Sequence, residues 1–382
     1  MSACLLTGAY FGASRLGILD GLQARFFPKK LRLTSGDFPA GVAAPLGDIA
    51  SIPLRPVRVG FVPRGSSAGL VLAAGGAIFA GASEEPAGPP PEGLLKSAYG
   101  LDGRAVAYTR DDELMAALRK GGDDGGVDLA VMTVDRLAEW AVPLRDAAPR
   151  AILLLGRSRG QEALASVGPK TLLELRGKKV AVARRSPCEY FALWLTARAG
   201  LAVDDVRWVE VPTVVEAGKA LRDGRADAAV GFAGDLELAL KERGGVMLAS
   251  TADAPHLIAT VLVARGEFAA RYPDAIRRLV RGLLDAGGSV ARGSPEGARR
   301  LGEVAPFLGD PTEAIRFAPP ASLEDNLAFF GIAGEPPVTF DELFASAGAL
   351  FLKLGRTPEV PEPEEVRDLA AIRFASAPGP RP

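Results

Sequence analysis

The sequence predicts an α/β protein in which strands and helices alternate along the chain. Apolar runs of strand length recur between residues 57 and 156, and turn signals separate them from helical segments. The same alternation then repeats in full over residues 172–250. With 382 residues, of which 48% are hydrophobic, the chain is long enough for two domains with real cores.

The helices expected in this second stretch carry start signals directly after a strand. Ser186 and Glu189 form a capping box, and Thr213 and Glu216 form another one cycle later. Glycines follow both helices and are typical of helix ends. Helix N-termini at the carboxyl ends of parallel strands attract small polar or anionic groups, so the pattern predicts a binding site there.

The remaining elements follow from the same signals, read in chain order. A loop rich in proline and glutamate at 83–91 interrupts the first series, and helices dominate after the last strand. The other predicted strands are 57–62, 105–109, 127–133, 151–156 and 256–264, and the predicted helices are 68–80, 111–120, 266–291, 295–308, 311–317, 322–330 and 339–354. Parallel sheets are expected from this order.

Composition excludes several classes of function. A formal net charge of −1 does not favour nucleic acid or an anionic membrane surface. Two cysteines, Cys4 and Cys188, stand at unrelated places and indicate neither a disulfide framework nor a metal site. His256 is the single histidine, which argues against a histidine metal site or a Ser-His-Asp relay. We expect no metal and no cofactor.

Residues 1–56 form an N-terminal segment with two interpretations. Its apolar stretch is shorter than the ~20 residues of a membrane-spanning helix and lacks the basic residues that precede a secretory signal. It is therefore either a surface helix or an export signal or membrane anchor, followed by an extended lead-in. The opposite end, residues 356–382, reads as a tail rich in proline and glutamate.

Five short motifs follow one another along the chain: VDLAV at 127–131, LRGKKVAV at 175–182, AGLAVDDV at 199–206, ALRDGRADA at 220–228 and RYPDAI at 271–276. Each motif is ordinary α/β turn chemistry when taken singly. Their order and spacing resemble those of the periplasmic solute-binding proteins of ABC importers, in the nitrate, sulfonate and taurine group.

The resemblance implies a two-lobed, periplasmic-binding-protein-like (type II) fold with parallel or mixed sheets and a helical C-terminal part. Residues 57–157 together with 255–355 would form lobe 1, and residues 158–254 would form lobe 2. The chain would cross between the lobes near 155–160 and 251–261. One departure is Phe232, which stands where the family usually has a tryptophan in the cleft.

Candidate ligand contacts are the polar and aromatic side chains expected at strand ends facing the cleft. Most have a structural alternative: helix capping for Ser186 and Thr133, and core packing for the aromatic rings. Arg157 is expected either to bind an acidic group or to be a solvated turn residue. The full set is Ser66, Ser67, Thr133, Arg157, Ser158, Ser186, Tyr190 and Phe232.

The function expected from the resemblance is the solute-binding component of an ABC-type import system. It would be a monomer in the bacterial cell envelope, periplasmic or anchored facing the periplasm. It would close by a hinge around a small anionic or zwitterionic molecule and meet a permease in the inner membrane. Alternatives are a ligand sensor or envelope scaffold without a transporter, and an enzyme on this scaffold, which the single histidine disfavours. A transcription-factor effector domain would need a helix-turn-helix that residues 28–56 do not supply.

Overall fold

A computed structural model describes residues 51–80, 93–291, 295–308 and 310–376. The strands of this part, in chain order, are β1 Val57–Phe61, β2 Ala77–Phe79, β3 Gly103–Ala107, β4 Leu129–Thr133, β5 Arg150–Arg157, β6 Glu162–Ser166, β7 Lys179–Ala183, β8 Arg207–Val211, β9 Ala228–Phe232, β10 Val246–Ser250 and β11 Ala259–Ala264.

Helices cover the faces of these strands and make up most of the C-terminal third. They are α1 Ala68–Ala74, α2 Leu94–Ser97, α3 Asp111–Lys120, α4 Val134–Trp140, α5 Pro187–Arg198, α6 Val214–Arg222, α7 Ala233–Arg243, α8 Gly266–Arg271, α9 Pro273–Ala291, α10 Pro295–Val304, α11 Pro311–Phe317, α12 Leu323–Phe329, α13 Phe340–Lys353 and α14 Ala370–Ser376.

Two mixed sheets organise the strands. The first has the order β2-β3-β1-β4-β11-β5, and the second has the order β10-β6-β9-β7-β8. β1 is parallel to β3 and β4, whereas β11 runs antiparallel to β4 and β5. In the second sheet β7 is parallel to β8 and β9, whereas β6 is antiparallel to β9 and β10. The predicted α/β fold with parallel and mixed sheets is confirmed.

The capping signals predicted in the second sheet form as expected. The Ser186 hydroxyl accepts a hydrogen bond from the Glu189 backbone N–H at 3.3 Å, and Thr213 caps α6 through Glu216 at 3.4 Å. The chain leaves α5 through Gly200, whose φ of 71° is the left-handed conformation that glycine adopts without strain. These local signals place the start of α5 directly after β7.

Two predicted helices differ from the structure, each for a local reason. The first ends at Ala74, because Gly75 adopts a φ of 82° and turns the chain into strand β2. The long helix expected over 266–291 is broken into α8 and α9 at Tyr272. Proline disfavours helical backbone in the residue before it, and Pro273 follows directly.

Two aspartates in the recognised motifs are structural. Asp128 accepts the Arg58 backbone N–H at 2.9 Å and binds the guanidinium of Arg55 through two contacts of 2.7 Å. Asp227 accepts the Lys179 backbone N–H at 2.8 Å in the other sheet. Both carboxylates therefore hold neighbouring parallel strands together at their amino ends. The site is expected at the opposite, carboxyl ends of the strands.

Residues of the C-terminal part, after α11, cover the free edge of strand β5. The Asn326 side chain accepts the Leu154 N–H at 2.7 Å and donates to the Leu154 carbonyl at 3.0 Å. Further along, Arg367 forms a parallel bridge with Ala151. Because an open strand edge is a template for unwanted pairing, this cover protects the sheet. The segment after residue 355 is thus packed onto the fold over its described part.

Some sequence interpretations fall outside the described residues. These are the signal or anchor, the lead-in up to residue 50, the whole 83–91 loop and the last six residues. Among the residues that are described, no helix is long and apolar enough to span a bilayer. The residue bounds of the two lobes stay a prediction.

Candidate functional site

Two short crossings connect the sheets, and hydrogen bonds join them to each other. The first follows β5 and the second precedes β11. The Ser158 hydroxyl lies 2.6 Å from the Thr251 hydroxyl, which also accepts the Gly160 N–H at 2.9 Å. The Thr251 N–H donates to the Glu162 carbonyl at 2.9 Å. The crossings therefore form a compact, hydrogen-bonded junction at the boundary of the two sheets.

Arg64 and Asp111 form a buried ion pair on the side of the first sheet. Arg64 follows β1 and Asp111 begins α3 after β3, so both lie at the carboxyl ends of adjacent parallel strands. The guanidinium Nη2 donates to Asp111 Oδ2. Burial lowers the pKa of Arg64, but the charges of Asp111 and Glu162 outweigh it and raise that pKa.

Glu162 faces this pair from the second sheet. It is the first residue of β6, and its side chain is fully buried. Burial raises the pKa of Glu162, while the Ser158 hydroxyl and the charge of Arg64 act in the opposite direction. Burial thus works against the charged form of the carboxyl group, and a nearby cation favours that form.

The first turn of α5 lies beside the same groups. Cys188 is buried there, and the charges of Glu162, Arg64, Asp111 and Asp135 all act on its thiol. Burial raises the pKa of the Cys188 thiol well above its usual value, and the carboxylates add to the effect. Charged groups from both sheets therefore converge on the N-terminus of one helix, and the cysteine stays a thiol. We call Arg64, Asp111, Asp135, Glu162 and Cys188 the interlobe cluster.

An ionic network extends from this cluster to the C-terminal part. Asp135 accepts from the buried guanidinium of Arg136 at 2.8 Å, and Arg136 also binds Glu139. Arg356 donates to Glu139 at 2.8 Å and contacts Glu189 of α5 at 2.9 Å. Since Glu139 lies on α4 and Glu189 on α5, Arg356 links the helices that follow the two sheets.

Several buried polar atoms of the interlobe cluster, and the Thr133 hydroxyl at the end of β4, have no hydrogen-bond partner within the described residues. Burying a polar group without a partner costs about 1–3 kcal/mol, and such groups are rare in native proteins. Buried polar atoms of this kind can be completed by water or by a bound molecule. The atoms are Arg64 Nη1, Asp111 Oδ1, Thr133 Oγ1, Asp135 Oδ1 and Glu162 Oε2.

Five of the predicted contact residues lie at or beside the cluster. Thr133 is buried at the end of β4, and its hydroxyl makes no capping bond. The Ser158 hydroxyl acts to lower the pKa of Glu162, and Phe232 is the β-ladder partner of Glu162. Ser186 caps the helix that carries Cys188. Tyr190 is buried on the same helix, 5.8 Å from the Phe351 ring, and burial and the Asp135 charge raise its pKa.

The other three predicted residues have different surroundings. Ser66 lines a recess with Gly69 and Pro320, and the Ser67 hydroxyl donates to the Val62 carbonyl at 3.5 Å. Arg157 turns to the C-terminal part, where it donates to the Val338 carbonyl at 3.2 Å and lies 4.9 Å from the Phe329 ring. Their contact with a ligand stays a prediction.

Sequence reasoning missed the charged members of the cluster. Arg64, Asp111 and Asp135 each follow a parallel strand within four residues, which was the available signal. Glu162 opens an antiparallel strand that the sequence did not indicate. Charged residues in such loops are usually solvated, and these are buried because groups from two sheets approach each other.

Part of the chain is similar to a known protein family. The family model described as NMT1/THI5 like matches residues 160–298. Over this stretch the chain is similar to that family. This match includes the second sheet, the first turn of α5 and Glu162, and it confirms the resemblance drawn from the five motifs. No curated protein matches the sequence.

Solved structures share the fold at low sequence identity. The periplasmic aliphatic sulphonate binding protein SsuA from Escherichia coli has a TM-score of 0.60 and 18% identity, covering 83% of this chain and 92% of its own. A ligand binding component of an ABC-type import system from Staphylococcus aureus has a TM-score of 0.61 and 15% identity, covering 85% and 99%. The desulfurization enzyme DSZB has a TM-score of 0.54 and 12% identity, covering 84% and 98%.

These likenesses show the periplasmic-binding-protein fold, which the sequence predicted. The fold is shared by binding proteins and by at least one enzyme. The function of this chain therefore has to be argued from its own residues.

Proposed function

We propose that the protein is the solute-binding component of an ABC-type import system, which binds a small anionic or zwitterionic solute between its two sheets. One observation carries the proposal. Arg64 and Glu162, each with a buried polar atom that lacks a hydrogen-bond partner, act on one another's charge across the boundary of the sheets. A ligand that contacts both sides stabilises the closed arrangement and shifts the population towards it.

The junction between the crossings supports this mode of binding. The hydrogen bonds of Ser158 and Thr251 tie the crossings together near the cluster, so a small change in backbone angles there moves one sheet against the other. The closed form would then be the one presented to a permease. In this role the protein would act as a monomer on the periplasmic side of the inner membrane.

Two similar structures agree with this role by their described functions. One is a sulphonate binding protein and another belongs to an ABC-type import system. We extend the class of function, and not the particular solute, to this chain. The cluster of charged residues is the reason to expect a polar solute here.

We infer that the role is non-catalytic. The Cys188 thiol favours its protonated form, because burial raises its pKa, and a thiol is a weak nucleophile. His256 lies in the second crossing, and burial together with Arg157 and Arg159 lowers its pKa. No group of three potential metal ligands occurs in the part of the chain that the structure describes.

A thermal-shift screen tests the proposal. The purified chain is incubated with sulfonates, nitrate, phosphate, phosphonates and amino acids, and a solute that binds the native form raises the melting temperature. We expect at least one to do so. If none shifts the transition at millimolar concentration, the solute-binding role is wrong.

Two matched capping variants then locate the site. Ser186→Ala and Thr213→Ala remove equivalent N-caps from α5 and α6, so both should lower stability by about 1 kcal/mol. Only Ser186 lies at the cluster, and we expect only its variant to reduce the ligand-induced shift. Phe232→Ala should reduce the shift as well. Equal responses of the two capping variants would contradict a ligand site at α5.

A second candidate is a ligand-sensing or envelope scaffold protein that keeps this fold without a transporter. The observation that favours it is the Glu139–Arg356–Glu189 network, which holds the two sides together through protein groups. A scaffold would stay closed in solution regardless of solute. Small-angle scattering of the free protein decides between the two: a radius of gyration that falls on adding the screened solute supports the importer role.

A further inference from the structure

Arg278 is a fully buried arginine that lies outside the interlobe cluster. It belongs to α9, which packs against α1, α2 and α14 and carries none of the cluster residues. Its Nη1 donates to the Tyr99 carbonyl at 2.8 Å. Its Nε and Nη2 are buried and have no hydrogen-bond partner within the described residues. Two strong donors of one cation are therefore left without an acceptor.

These two nitrogens form one edge of the guanidinium group, which we call the Arg278 edge. In the planar group, Nε–H and one N–H of Nη2 lie on the same side and match two oxygens of a carboxylate, sulfate or phosphate. Hydrogen bonds between such charged partners are shorter and stronger than those between neutral groups. A single side chain thus supplies both donors of a bidentate contact.

The acidic groups spaced along the same face of α9 have partners elsewhere. Asp274, one turn before Arg278, is bound by Arg277 at 2.9 Å. Asp285, two turns after Arg278, accepts a hydrogen bond from the Tyr99 hydroxyl. Burial lowers the pKa of Arg278, and the charge of Asp274 opposes this effect. Since a buried charge is costly unless it is paired, an added anion would stabilise this part of the fold.

A second arginine adds positive charge beside this edge. Arg281 follows Arg278 by three residues, so the two side chains are neighbours on the helix surface. Arg281 is half-buried, and burial lowers its pKa. Its guanidinium carbon lies 4.6 Å from the centre of the Phe374 ring. The charge of Arg281 would therefore attract the same anion, and its partial exposure marks a route from the solvent.

We propose that the Arg278 edge binds a small oxyanion with two oxygens available on one side, such as sulfate, phosphate or a simple carboxylate. The edge is closed to solvent in this structure, so the anion enters past Arg281. Once bound, it neutralises a buried charge and fastens α9 to the segment that carries Tyr99. This site stabilises the fold and does not depend on the solute-binding function proposed above.

Thermal unfolding and isothermal titration of the full chain test the site with sulfate, phosphate and acetate at millimolar concentration. Chloride at the same ionic strength is the control, because a single atom offers no pair of oxygens to the edge. We expect at least one oxyanion to raise the melting temperature by about 2 °C or more above the chloride value. No response of the parent overturns the inference, since the chain itself would then complete the edge.

Two variants of Arg278 locate the response. Arg278→Met removes the charge, and we expect it to lose the response to oxyanions. Arg278→Lys keeps the charge without the planar edge and should bind the best oxyanion about 10-fold less tightly. Arg300→Met, at an exposed position of α10, is the matched control and should respond as the parent does.

Other outcomes of these titrations contradict the assignment in different ways. A general effect of salt would raise the melting temperatures of the parent and Arg278→Met alike, which overturns the site. Unchanged affinity in Arg278→Lys overturns the bidentate contact. Ser186→Ala should keep the full response, and its loss in that variant would place the anion at the interlobe cluster instead.

Discussion

The hydroxyl groups of Ser158 and Thr251 lie 2.6 Å apart and join the two segments by which the chain crosses between its sheets. Both residues are buried, and Thr251 also accepts the Gly160 N–H. The Thr251 N–H donates to the Glu162 carbonyl, and the Ser158 hydroxyl favours the charged form of the Glu162 carboxyl group and so acts to lower its pKa. The crossings therefore lie directly beside the charged cluster, so a change at Glu162 should affect them.

The Thr251→Val variant tests how much the hydrogen bonds of Thr251 contribute to the free energy of unfolding. Valine has the shape of threonine but leaves Ser158 and the Gly160 N–H without their partner. Leaving buried groups unsatisfied should lower the free energy of unfolding by about 1–3 kcal/mol, measured by urea denaturation. Thr109→Val, at an exposed position, is the control and should change it by less than about 0.5 kcal/mol. Equal effects would show that the crossings are not held by Thr251.

The raised pKa of Glu162 predicts that its contribution to the stability of the fold decreases as the pH rises. Because its pKa is raised above 4.5 in the folded state, its favourable contribution is complete below about pH 4.5 and is lost as pH rises through the folded-state pKa. Each pH unit of that window costs about 1.4 kcal/mol. Glu162→Gln removes this loss, so the variant should melt at a higher temperature than the parent at pH 8.

The same variant should gain nothing at pH 4, where the parent carboxyl is already neutral in both states. Differential scanning calorimetry of parent and variant from pH 4 to pH 8 measures the difference. Glu237→Gln, on the exposed face of α7, is the matched control and should track the parent at every pH. A gain that is independent of pH would contradict a titrating, buried Glu162.

Arg356 is predicted to be the strongest single support of the contact between α4 and α5. Arg356→Gln removes the cation that Glu139 and Glu189 share, although Glu139 keeps its contact with Arg136 and Glu189 keeps its contact with Arg184. Losing this shared partner should cost about 1–3 kcal/mol. Arg145→Gln is the matched control, because Arg145 and its partner Glu359 are exposed and such pairs contribute at most about 1 kcal/mol. Chemical denaturation measures both. Similar losses would mean that Arg356 does not link the two helices.

Asp128 offers a comparable pair of variants away from the site. Asp128→Ala removes the acceptor of the Arg58 N–H and the buried partner of Arg55, and we expect a loss of about 3 kcal/mol in the free energy of unfolding. Asp123→Ala removes the exposed partner of Arg55 and should cost less than about 1 kcal/mol. Ligand affinity should stay unchanged in both. Loss of ligand binding in Asp128→Ala would contradict a purely structural motif.

Local signals were sufficient to predict the repeating part of the chain. The capping boxes at Ser186 and Thr213 and the glycines after each helix act within a few residues, so the order of strands and helices over 172–250 was confirmed. The break at Tyr272 was missed although it follows from the proline after it. There the apolar periodicity runs through both helices and hides the boundary.

The sequence also predicted only part of the candidate site. Short-range patterns in the amino-acid order led to α5, to Ser158 and to the fold, because capping, turn chemistry and periodicity depend on near neighbours. They did not reveal that Arg64, Asp111, Asp135 and Glu162 meet. Those residues come from four places far apart in the chain. Their burial, and the raised pKa values of Arg64 and Glu162, arise from the approach of two sheets, which no local pattern encodes.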